Sequence, residues 1–111
     1  MVFRLLTILG LMGVWLGPLP AAEEAAGFEN LCASCHGLDG RARTPQGRKM
    51  RARDLRDSRM PDEEIQRQIR EGSRNKTGVS VMPPVGRELT DAEIRELVRV
   101  VKAFRPIPVQ P

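Results

Sequence analysis

Apolar residues fall at helical spacing in three places along this chain and run together in a fourth. The clearest stripe is near the C-terminus, where Ile94, Leu97, Val98, Val101 and Phe104 share one helical face. Thr90-Asp91-Ala92-Glu93 forms a capping box ahead of it, with Thr90 as N-cap. Arg99, Lys102 and Arg105 suit the negative end of the helix dipole. The spacing predicts a helix to about Phe104, ended by Pro106. A second helix opens at Pro61-Asp62-Glu63-Glu64, with proline near its start and acids in its first turn. Ile65 and Ile69 give it a narrow apolar stripe, and Gly72 is its stop. Residues 22–31 predict a short helix in which Phe28, Leu31 and position 32 share a face. The stretches 37–59 and 73–88 read as loops, punctuated by glycine and proline. No strand pattern occurs, so the expected class is all-α.

The fourth apolar stretch is continuous. It runs from Leu5 to Leu16 with only Thr7, Gly10 and Gly13 as breaks. Arg4 precedes it and Gly17-Pro18-Leu19-Pro20-Ala21-Ala22 follows. This is the layout of a secretory signal peptide. The run is short for a membrane span, which needs roughly 20 apolar residues; an uncleaved anchor is the alternative reading. The chain divides into a signal segment at 1–22, one domain at 23–105 and an extended tail at 106–111. Export makes the periplasm the expected compartment. Removing residues 1–22 takes away Arg4 alone among the charged residues, so the net charge goes from +4 to +3.

Composition adds a deficit and an exclusion. Beyond the signal segment the only aromatics are Phe28 and Phe104, with no Trp and no Tyr. An exported domain this small has a thin core and needs a staple. Both cysteines lie in one five-residue run, so there is no wider disulfide framework. The stretch from Arg41 to Arg59 is strongly basic (Arg41, Arg43, Arg48, Lys49, Arg51, Arg53, Arg56 and Arg59 against Asp54 and Asp57). No aromatic residue is interleaved, which excludes a base-stacking nucleic-acid surface. Most of these arginines read as a solvated loop. There is no Gly-rich phosphate loop and no internal repeat.

The candidate chemistry lies in Cys32-Ala33-Ser34-Cys35-His36. Cys-x-x-Cys-His is the attachment signature of a c-type haem. On one helical turn, positions i, i+3 and i+4 share a face. Both thiols then reach the vinyl groups along one side of a porphyrin, and the imidazole meets the iron. A thioredoxin-like redox pair would want a βαβ context, and a closed zinc site would want four ligands. Neither requirement is met. A haem would also supply the missing hydrophobic volume. His36 is the only histidine, so bis-histidine ligation within one chain is excluded. The sixth ligand is then Met, Lys, an amine terminus, water or nothing. Met50 lies too soon after His36 to wrap the far face easily. Met60 precedes the second helix. Met82 sits in Ser80-Val81-Met82-Pro83-Pro84, whose prolines stiffen the segment that carries its thioether. Met82 is preferred, with Met60 as its rival.

With these residues in place the chain resembles a small bacterial mono-haem class I c-type cytochrome, over about residues 25–104. The resemblance rests on Cys32-Ala33-Ser34-Cys35-His36-Gly37, on Met82-Pro83-Pro84 and on Leu89 to Leu97. It implies three to four helices packed around one covalently bound haem c, with the N- and C-terminal helices crossing. It also implies a partner for Phe28 in Phe104 or Leu97, and a carbonyl from Pro45 that orients the His36 imidazole. Two departures stand out. A glycine expected eight residues before the first cysteine is Glu24, and the Trp or Tyr that bonds a haem propionate is missing. Arg53, Arg56, Arg74 and Lys76 are the candidate substitutes.

The function this implies is electron transfer, without enzymatic activity. Cys32 and Cys35 would carry the thioethers, with His36 and Met82 as axial iron ligands. The partners would be redox proteins with acidic docking surfaces, and a membrane only if the N-terminal segment stays attached. Two alternatives are a five-coordinate haem sensor or weak peroxidase, and a dedicated cytochrome subunit of a dehydrogenase or oxidase.

Overall fold

The two strongest apolar stripes become the two longest described helices. The computed structural model describes Gly13, Val14, Gly17 and residues 27–109. The expected signal segment, Glu24 and the first residues of the predicted N-terminal helix otherwise lie outside that range. Helix α1 is described at residues 27–31 and α2 at Ala33–His36. Then come α3 at Pro45–Met50, a 3-10 turn at Leu55–Asp57 and α4 at Asp62–Glu71. Strands β1 (Ser73–Arg74) and β2 (Ser80–Met82) form an antiparallel hairpin, and α5 covers Asp91–Ala103. The fold is all-α apart from this small hairpin.

Helices α4 and α5 form the framework. Ile65 and Ile69 of α4 pack against Ile94, Leu97, Val98 and Val101 of α5, all of them buried. Lys102 at the end of α5 pairs with Asp62 at the start of α4 at 2.7 Å. Arg70 at the end of α4 pairs with Asp91 at the start of α5 at 2.5 Å. The two helices therefore run antiparallel. These pairs are exposed, so they fix direction more than they add stability. The capping box is formed: the Thr90 hydroxyl accepts from the Glu93 N–H at 3.2 Å, and the Glu93 carboxylate accepts from the Thr90 N–H at 2.7 Å.

The N-terminal helix docks on α5. Phe28 is buried and meets Phe104 ring to ring, with centroids 5.1 Å apart and planes tilted by 51°. This selects Phe104 over Leu97 as its partner. Leu97 lies beside Gly27 instead, with its Cδ2 3.7 Å from where a β-carbon would stand.

Two predicted loops contain structure. Thr44 caps α3 by accepting from the Gly47 N–H at 2.9 Å, with Pro45 as the first helical residue. The basic stretch is thus a helix between two turns, although Arg41, Arg43, Arg48, Lys49, Arg51, Arg53 and Arg59 are exposed as expected of solvated residues. In the second loop, the Asn75 side chain accepts from the N–H groups of Thr77 and Val79, both at 3.0 Å, and so closes the hairpin. The tail residues 106–109 have no regular structure, as expected, and Ile107 and Val109 are exposed.

Ile94 is the most deeply buried large side chain, at 1 % exposure. Ile94→Ala should lower the unfolding free energy by about 2–5 kcal/mol, and Thr90→Ala by about 1 kcal/mol, in denaturant titrations.

Candidate haem site

Helix α2 is only four residues long, so its terminal carbonyls have no partners within the helix. The following segment supplies them. The Thr44 hydroxyl lies 2.7 Å from the Ser34 carbonyl and 3.1 Å from the Cys35 carbonyl, and donates to this pair. The Ala42 N–H donates to the His36 carbonyl at 2.8 Å. Gly47 of α3 lies against the Cys35 carbonyl so closely that a β-carbon there would collide with it. Thr44 therefore has two jobs: it caps α3 and ties α3 to the end of α2.

The same segment then returns to the imidazole. His36 Nδ1 donates to the Arg53 backbone carbonyl at 3.2 Å. This fixes the tautomer and leaves Nε2 with its lone pair, the arrangement expected of a metal-binding histidine. Burial pulls the His36 pKa below its ordinary value, partly offset by the bond to Arg53. A neutral imidazole is the form that binds metal. The carbonyl comes from Arg53 and not from Pro45. Pro45 is the first residue of α3, where its carbonyl is directed along the helix axis into the next turn.

Cys32 and Cys35 are unpaired thiols, both half-buried. Burial pushes the Cys32 thiol up to about 11. A redox-active Cys-x-x-Cys pair needs a lowered thiol pKa, so the environment of Cys32 argues against that reading. Among the described residues, no group of three or more His, Cys, Asp and Glu side chains is placed to hold a metal ion. The arrangement is not a closed zinc site.

Cys32, Cys35 and His36 line one side of a cavity of about 390 Å³, within the range of small-molecule and cofactor sites. Phe28, Ile65, Ile69, Leu97 and Val101 supply its apolar wall. These residues also belong to the core, so the core is open on this side. Met82 lines the cavity, and so do Met50 and Met60. The four sequence-predicted site residues therefore meet in one space, together with two further thioethers. An apolar cavity bordered by two thiols and an imidazole with an open Nε2 fits a covalently attached haem.

The backbone on both sides of Met82 is held. Met82 pairs with Ser73 across the hairpin. The Val85 and Gly86 N–H groups both donate to the Ile69 carbonyl, at 3.1 and 3.0 Å. Gly72, which ends α4 with φ of +70°, meets the Met82 carbonyl where a β-carbon would stand. Left-handed backbone and close approach both demand glycine there. Sequence reading named Met82, which lines the cavity, and missed Thr44, Gly47 and the Arg53 carbonyl. The pair Thr44-Pro45 was the available signal, since it reads as an N-cap followed by the first helical residue.

Residues 20–99 match the family model described as cytochrome c oxidase, cbb3-type, subunit III. Among solved structures, the chain is similar to the KustC0563 c-type cytochrome. That similarity has 32 % identity and a TM-score of 0.65, over 75 % of this chain and 98 % of that one. No curated protein sequence matches.

Gly47→Val would drive α3 off the Cys35 carbonyl. Intact-mass measurement after expression with the haem-attachment machinery should show a several-fold loss of haem-bearing protein. Thr44→Val, which keeps the shape but removes the hydroxyl, should cost about 1–3 kcal/mol of stability in denaturant titrations.

Proposed function

This chain belongs to the c-type cytochrome family described as cytochrome c oxidase, cbb3-type, subunit III, and on that premise we propose that it is a periplasmic single-electron carrier whose haem is held by Cys32, Cys35, His36 and Met82. Family membership makes it a haem c protein that works in electron transfer with redox partners. When bound, the haem iron supplies a one-electron couple. Cys32 and Cys35 would form the two thioether bonds, and His36 would bind the iron through Nε2. The bond from Nδ1 to the Arg53 carbonyl would hold the ring in place in both oxidation states.

Met82 is the proposed sixth ligand. The observation that carries this choice is the anchoring of its segment on both sides, by the pairing with Ser73 and by the double acceptance at Ile69. A thioether there would raise the reduction potential, and the apolar wall would act in the same direction. Filling both axial positions would leave no open site for substrate, which suits a carrier and not an enzyme.

The exposed side chains of Arg43, Arg48 and Lys49 engage no acid among the described residues. They stand on and before α3, the helix that clasps the Cys35 carbonyl, so they would steer an acidic redox partner toward the haem attachment turn. The signal-like segment at 1–22 supports export. Among the described residues no helix is long and apolar enough to cross a membrane. A second reading, a haem subunit of a terminal oxidase, is favoured by the description of the matching family. Co-purification with membrane oxidase subunits would favour it.

Met82→Ala should abolish the weak far-red band that marks methionine on ferric haem, and should open the reduced protein to CO. A persisting band would pass the ligand to Met60 or Met50. Electron transfer to an acidic partner should slow as salt rises, and Lys49→Glu should weaken that dependence. Salt-independent rates would remove the steering role.

A further inference from the structure

Apart from His36, the charged residues that line the cavity come from a single stretch. Arg51, Arg53, Asp57 and Arg59 line the cavity. Among the lining residues they are three cations against one carboxylate, and all four are exposed. The rest of the wall is mainly apolar. A mainly apolar cavity whose charged lining residues are mostly cations suits a ligand that is apolar over most of its surface and carries anionic groups.

Four cations were candidates for the acidic edge of a haem, and the structure sets three of them aside. Arg56 clamps Asp54 with bonds of 2.6, 3.0 and 3.2 Å, which hold the Asp54 carboxyl down to about 2. Arg74 donates to the Gly78 carbonyl at 2.8 Å, within the hairpin. Lys76 is exposed in the turn of the same hairpin. None of these three lines the cavity. Arg53 remains, and Arg51 and Arg59 join it.

The backbone shows how the new pair arrives there. Arg51 caps α3 in the left-handed region, with φ of +54°, a conformation that is costly for a residue with a β-carbon. Its N–H donates to the Arg48 carbonyl at 3.2 Å, which turns the chain out of α3 and along the cavity. Arg59 donates from Nη1 to the Arg56 and Ser58 carbonyls, at 3.1 and 2.9 Å. Its Nε and Nη2 have no partner among the described residues. Arg51 and Arg53 engage no acid among the described residues either.

We propose that Arg51, Arg53 and Arg59 together bind the haem propionates, in place of the Trp or Tyr that this chain lacks. This rests on the reading of the cavity as the haem site. Guanidinium groups fork carboxylates with paired hydrogen bonds. Three of them would hold both propionates ionised. Their positive charge near the iron would disfavour the ferric state and so raise the potential.

The test uses the haem-loaded protein. Arg51→Gln, Arg53→Gln and Arg59→Gln are compared with Arg43→Gln and Arg74→Gln, which remove the same charge outside the cavity. Resonance Raman spectroscopy reads the propionate bending bands, and redox titration at fixed ionic strength reads the midpoint. Each cavity variant should shift the propionate bands and lower the midpoint further than either control. Arg59→Lys should recover the midpoint but not the bands, because lysine keeps the charge and loses the fork. Where a Gln variant does not accumulate, its Lys counterpart reads the same bands. Unchanged bands in the cavity variants, or controls that move the midpoint as far, would overturn the proposal. Intact mass and the methionine band in the same samples report the haem reading separately.

Discussion

The structure depends on a short helix that cannot satisfy its own end. Helix α2 carries both cysteines' spacing and the histidine in a single turn, which leaves the Ser34, Cys35 and His36 carbonyls without helical partners. Residues 42–53 close around it. The Ala42 N–H and the Thr44 hydroxyl take up the carbonyls, Gly47 lets α3 approach, and the Arg53 carbonyl fixes the imidazole. Each contact is worth about a kcal/mol net. Their value is positional: they orient two thiols and an open Nε2 toward one space. The same wrapping brings Arg51 and Arg53 to the cavity lining, so the segment that orients His36 also supplies cationic residues there.

On the other side of the cavity the fold is conventional. Helices α4 and α5 bury a modest aliphatic core, and five of the core side chains also face the cavity. A domain with two aromatic residues after residue 22 has little else to close that face. The bound haem would complete the core as well as carry the electron. Loading and stability are then linked, because whatever binds the folded state alone stabilises it. The Met82 segment is tied to α4 by Ser73, Gly72 and the Ile69 carbonyl, so the framework helices would position the proposed far ligand just as α3 would position the near one.

The sequence made some of this legible and hid the rest for physical reasons. Helices α4 and α5 were readable because their stripes repeat over several turns and end in recognisable caps. The thiols and the imidazole were readable because the chemistry needs those residue types at that spacing. Helix α3, Pro-Gln-Gly-Arg-Lys-Met, is too short and polar to show a period. The hairpin strands hold two and three residues, below the length at which alternation can be seen. The Arg53 carbonyl is a backbone atom, which no residue identity encodes, and the Pro45 expectation failed for that reason. The three methionines reach one cavity. Spacing and the neighbouring prolines ranked them, and the anchored backbone of Met82 is what the structure adds to that ranking.

The central claim is that the cavity between α2 and the Met82 segment holds an iron with one imidazole and one thioether. X-ray absorption at the iron edge of the haem-loaded protein tests it most directly, in both oxidation states. The account predicts one axial nitrogen and one axial sulfur in each, with the sulfur lost in Met82→Ala. An iron with no sulfur neighbour in the unaltered protein would contradict it.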